Sequence, residues 1–82
     1  MSVHHAISAH SASQAEYIVL YRKLDVMREV RIERAIEQYQ AGEAVDLASI
    51  NEVTQQINQL AQRHHLPPRK FVTAAMIEST NK

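Results

Sequence analysis

The stretch EYIVLYRKLDVMREVRIERAIEQYQ, Glu16 to Gln40, decides the fold. Tyr17, Leu20, Tyr21, Leu24, Met27, Ile32, Ala35, Ile36 and Tyr39 recur in it at steps of three and four, which brings them onto one face of an α-helix. No glycine or proline precedes Gly42, the single glycine of the chain, so nothing upstream breaks the helix. Gly42 itself supplies the left-handed residue at which helices commonly stop. Ser13-Gln14-Ala15-Glu16 has the form of a capping box, which either starts this helix or lies silent inside a longer one. Residues 1–12, rich in Ser, His and Ala, read as an arm or a short helix with Val3 and Ile7 at helical spacing.

Downstream, Asp46 or the box Ser49-Ile50-Asn51-Glu52 opens a second helix. Its stripe Leu47, Ile50, Val53, Ile57, Leu60 and Ala61 is apolar, and its opposite face carries Gln55, Gln56, Gln59 and Gln62. His64 and His65 suit the negative end of that helix dipole, and Pro67-Pro68 forbids continuation. Phe71-Val72 reads as extended, and Thr73 as the N-cap of a short last helix containing Met76 and Ile77. The expectation is therefore one all-α domain over 1–82: an N-terminal helical arm (1–12), a long helix (13–41), an antiparallel second helix (47–65) completing a hairpin, and a short C-terminal helix (73–80).

At 82 residues a chain buries only about 60% of its unfolded surface, so it gains from an additional source of stability. With zero cysteines that source is not a disulfide or a thiolate metal site, and the count is compatible with a reducing cytoplasm. Nine basic and nine acidic residues cancel, which removes the overall attraction that most nucleic-acid binders use. No Lys or Arg precedes Arg22, which argues against a secretory signal, and no apolar run approaches the roughly 20 residues that span a bilayer. A cytoplasmic location without membrane association is expected.

Oligomerisation is the expected support. A helix from Gln14 to Ala41 runs about 40 Å, whereas a compact chain of this length is only about 30 Å across, so part of the helix should overhang its partner. Val19, Val26 and Val30 form a second apolar flank, away from the Tyr17, Leu24 and Met27 seam. Asp25, Glu29, Glu33 and Glu37 make an acidic ridge beside a basic one of Arg28, Arg31 and Arg34, and the segregation implies partners on another helix. Arg28 should pack its stem in the seam while its guanidinium seeks a carboxylate. The candidate self-association residues are thus Val19, Leu24, Val26, Met27, Arg28, Glu29, Val30 and Glu33, and the expected assembly is a homodimer.

Other chemistry finds less support. Acids at this spacing resemble those of di-metal bundles, but the necessary Glu-x-x-His is missing. His4, His5, His10, His64 and His65 lack the three- or four-residue spacing of helical metal ligands, which leaves a metal site only through tertiary contact between the two clusters. Arg63, His64, His65, Arg69 and Lys70 make the one concentrated basic patch, with Arg63, Arg69 and Lys70 as candidate phosphate or partner contacts. That connection is too long and proline-rich for a helix-turn-helix. No glycine-rich phosphate loop, nucleophile elbow or thiol is present, so neither catalysis nor a cofactor is expected.

Three stretches, His5-Ala6-Ile7-Ser8-Ala9-His10-Ser11, Ile50-Asn51-Glu52-Val53-Thr54 and Pro67-Pro68-Arg69-Lys70-Phe71-Val72-Thr73, carry a resemblance that spans most of the chain. The sequence resembles a small family of uncharacterised all-helical proteins, a domain of unknown function, from Bacillus-type bacteria. The resemblance implies a bacterial cytosolic protein and carries over no functional residues. Within those stretches, capping accounts for Glu52 and Thr73, whereas Arg69 and Lys70 stand out as partner contacts. The expected role is a non-enzymatic interaction or regulatory protein.

Overall fold

The structure is a computed structural model that describes residues 2–80, with side chains from Glu16 to Thr80. Three helices follow in order: α1 (Ser2–Gln40), α2 (Leu47–His64) and α3 (Ala74–Thr80). Among the described residues there is no strand. The expected arm and long helix are one element from Ser2 onward, and the capping box at Ser13 is silent, because the backbone on both sides of it is already helical. The molecule measures 61 × 19 × 19 Å.

Each helix end is closed by its own sequence. Gly42 takes φ +74°, its N–H donates to Tyr39 O at 3.1 Å, and Glu43 N–H donates to Gln38 O at 2.9 Å. These are the two bonds of a Schellman stop, which satisfies carbonyls that the helix itself leaves free. Asp46 caps α2, its carboxylate accepting from Ser49 N–H at 3.0 Å, while its own N–H donates to Gln38 Oε1 at 3.1 Å. The hairpin is thereby tied at its turn as well as along its seam. At the far end of α2, His65 is left-handed (φ 57°) and Leu66 N–H reaches back to Ala61 O at 2.8 Å. The Thr73 hydroxyl accepts from Met76 N–H at 3.4 Å and starts α3.

The core runs along the α1–α2 seam in two clusters. Leu24, Val53, Ile57 and Leu60 form one, with Tyr17, Tyr21 and Met27 against it. Ala35, Ile50, Val72 and Ile77 form the other, with Ile32, Ile36, Val45 and Leu47 around it. Between them lies a polar layer, where Arg28 Nε donates to Thr54 Oγ1 at 3.0 Å and the fully buried Thr54 donates onward to Ile50 O at 3.0 Å. At the open end of the hairpin the ring of Tyr17 stacks on that of His64, 3.8 Å between centroids and 4° from parallel. Since α2 ends at His64, residues 2–16 of α1 lie beyond the level at which α2 stops, and the expected overhang is at the N-terminal end.

Candidate interaction surfaces

After the left-handed turn at His65 the chain doubles back along the groove between α1 and α2, and residues 66–73 form an irregular strap. An extended segment beside helices has no ladder to satisfy its backbone, so side chains must do it. Asn58 accepts from Arg69 N–H at 2.7 Å and donates to Arg69 O at 2.9 Å. Asn51 does the same for Val72, at 2.7 and 2.9 Å. The two asparagines sit on one side of α2 about 10.5 Å apart, and an extended chain covers about 10 Å from residue 69 to 72, so helix and strap keep step. The strap runs antiparallel to α2. Tyr21 Oη donates to Pro67 O at 2.6 Å and Arg28 Nη2 to Lys70 O at 2.7 Å, which fixes its other edge to α1.

The basic residues meet different partners from those expected. Arg28 was expected to find a carboxylate; it finds the Thr54 hydroxyl and the Lys70 carbonyl, while Asp25, the α1 acid three residues before it, is taken by Arg69. Arg31 donates to Ser49 O at 2.8 Å. Arg69 binds Asp25 through both ends of its fork, Nε to Oδ1 at 3.0 Å and Nη2 to Oδ2 at 3.3 Å, and lies 5.4 Å from the centre of the Tyr21 ring. This is the one ion pair among the described residues. Hydrogen bonding to Asp25 pushes the Arg69 pKa above its ordinary value, with the nearby negative charge acting in the same direction against partial desolvation. Both side chains keep about 30% of their exposure, so the pair orients the strap more than it stabilises it.

The eight candidate self-association residues fall into two groups. Leu24 is 6% exposed inside the chain's own core, Met27 packs against that cluster, and Arg28 belongs to the strap; these three serve the monomer. Val19, Val26 and Val30 are 63%, 58% and 50% exposed, with Glu29 and Glu33 also exposed beside them. Steps of seven and four residues align the three valines on one side of α1. The cations of the basic patch do not converge. Arg69 is held by Asp25, Lys70 is exposed on the strap, and Arg63 lines a groove on the other flank of α2 with Leu20 and Gln59. His65 closes α2 and His64 stacks on Tyr17, while the side chains of His4, His5 and His10 lie outside the described residues.

Sequence reasoning gave no role to Asn58 or the Tyr21 hydroxyl, which together with Asn51 and Arg28 hold the strap, nor to Thr54, which bonds Arg28. Residues 1–80 match the family described as Protein of unknown function (DUF2533). The chain belongs to this family. It is also similar to the Uncharacterized protein YpbS of Bacillus subtilis (strain 168), 43% identical over 75 residues that cover 92% of this chain and 88% of the relative. No solved structure matches. The DUF2533 chain described here has, among its described residues, no helix long and apolar enough to cross a membrane.

Proposed function

We propose that this DUF2533 protein is a small non-enzymatic helical protein of the bacterial cytoplasm, mediating protein–protein interaction or regulation and working in a self-associated state. The observation that carries this reading is the exposed valine stripe of α1, which α2, the strap and α3 leave uncovered although each valine is worth roughly 1.5 kcal/mol when taken out of water. In a two-fold assembly every such residue counts twice. The remaining concave surface supports binding more than chemistry. A groove of about 550 Å³ between α2 and the strap is lined by Asn58, Ala61, Gln62, His65, Leu66 and Pro68, which offer amides and apolar surface rather than a nucleophile beside a base. Phosphate or nucleic-acid binding through Arg63, Arg69 and Lys70 is the weaker reading, since Arg69 is already engaged and the other two lie on different flanks.

The test is charge insertion on the stripe. Val26→Asp and Val30→Asp should each halve the mass seen by light scattering while leaving the thermal unfolding of the helices intact, because both positions are solvent-facing in the single chain. Gln56→Asp, on the exposed face of α2, should leave the mass unchanged. An unaltered mass for both valine variants places the interface elsewhere and contradicts the reading.

A further inference from the structure

The charges around the valine stripe say what covers it. Arg22 and Lys23 lie between Val19 and Val26, whereas Glu29, Glu33 and Glu37 surround and follow Val30; Glu16 and Arg34 are the minority charge at either end. All of these side chains are exposed, and none of Arg22, Lys23, Glu29, Glu33 or Glu37 has an ion-pair partner among the described residues. The stripe therefore runs from a basic end to an acidic end along α1. A copy lying parallel and in register would set Lys23 against Lys23 and Glu33 against Glu33. A copy lying antiparallel sets each basic end on an acidic one.

We propose that α1 pairs with α1 of a second copy of this chain, antiparallel and two-fold symmetric, with Val26 opposite Val30 of the second copy. This rests on the self-association reading above and adds to it the occupant, direction and register. With Val26 level with Val30, Val19 comes level with Glu37 of the second copy, and Lys23, on the opposite side of the contact from Glu33, lies about one helical turn from Glu37. Arg22 lies on the same side of the contact as Glu33 and Glu29 of the second copy, within reach of both. The arrangement repeats on the other half by symmetry, so each favourable contact is made twice. Arg28 and Arg31, which an unfolded view of the helix would offer to the same acids, are turned inward to Thr54, Lys70 and Ser49, and Arg22 and Lys23 take that place.

The chain has no cysteine, so single substitutions report on direction directly. Val19→Cys mixed with Glu37→Cys, and Val26→Cys mixed with Val30→Cys, should each give a mixed disulfide dimer on mild oxidation at micromolar concentration. Val19→Cys alone should give almost none, because antiparallel pairing holds the two copies of residue 19 roughly 27 Å apart, far beyond disulfide reach. Arg22→Glu should weaken the native association about tenfold, and adding Glu33→Lys should restore it. A ready disulfide in Val19→Cys alone, with none in the mixtures, means parallel pairing and overturns this inference while leaving self-association standing. A native chain that remains monomeric, with no disulfide in any preparation, removes both.

Discussion

Asn58 satisfies both backbone groups of Arg69 with one side chain, and no other residue type could accept and donate at that spot without rebuilding the strap. Asn58→Ala removes both bonds and leaves a half-buried N–H and C=O unpaired, a cost of about 2–3 kcal/mol. The urea midpoint should fall accordingly with little change in slope, and a shift under about 0.5 kcal/mol would mean that water replaces the amide freely. The sequence hides this residue. Its neighbours Gln55, Gln59 and Gln62 are polar amides on the outer side of the same helix, and only the position of the strap separates a structural amide from a solvated one. Thr54 is concealed in the same way: read along the chain it is a polar break in an apolar stripe, yet it is fully buried because Arg28 and Ile50 O complete its bonding. Most apolar positions were legible from periodicity: Leu24, Val53, Ile57 and Leu60 meet as the spacing predicts, whereas Leu20 and Tyr39 of the same stripe stay exposed.

Helices in this chain start and stop where side chains and backbone geometry make it favourable. Gly42 and His65 occupy equivalent left-handed positions after α1 and α2, at φ 74° and 57°, one with the residue that favours this conformation and one without. Two substitutions should therefore move stability in opposite directions. Gly42→Ala, with open space around the new methyl group, should cost about 1 kcal/mol from backbone conformation alone. His65→Gly should raise stability by a similar amount, offset in part by the greater freedom of the unfolded chain. Thermal unfolding of the pair checks both signs, and a loss in His65→Gly would show that the imidazole makes a contact worth more than the backbone strain. The glycine stop and the Thr73 cap were readable from residue type, as was the end of α2 before Pro67-Pro68, while Asp46 was one of two starts the sequence offered for α2. The unity of α1 was not, because a capping box inside a helix looks the same as one at its start. The course of 66–73 was also illegible: its residues have no period, and its path is dictated by amides and an arginine on other elements.

Across the whole molecule α1 divides its labour between two sides. One side, from Tyr17 through Leu24 and Arg28 to Ala35, builds the monomer with α2 and the strap; the other, Val19, Val26 and Val30 between oppositely charged ends, faces outward. A helix apolar on two sides was visible in the sequence, but the assignment of residues to sides was mixed, since Leu24, Met27 and Arg28 serve the inner one. Substituting Leu24 would thus report on folding, whereas Val26 reports on assembly. The most direct measurement is the absolute mass of the native chain in solution by sedimentation equilibrium, across micromolar concentrations and at low and high salt. The account predicts twice the 9.3 kDa chain mass, with association weakening as salt screens the crossed charges. A mass of 9.3 kDa throughout that range would contradict it.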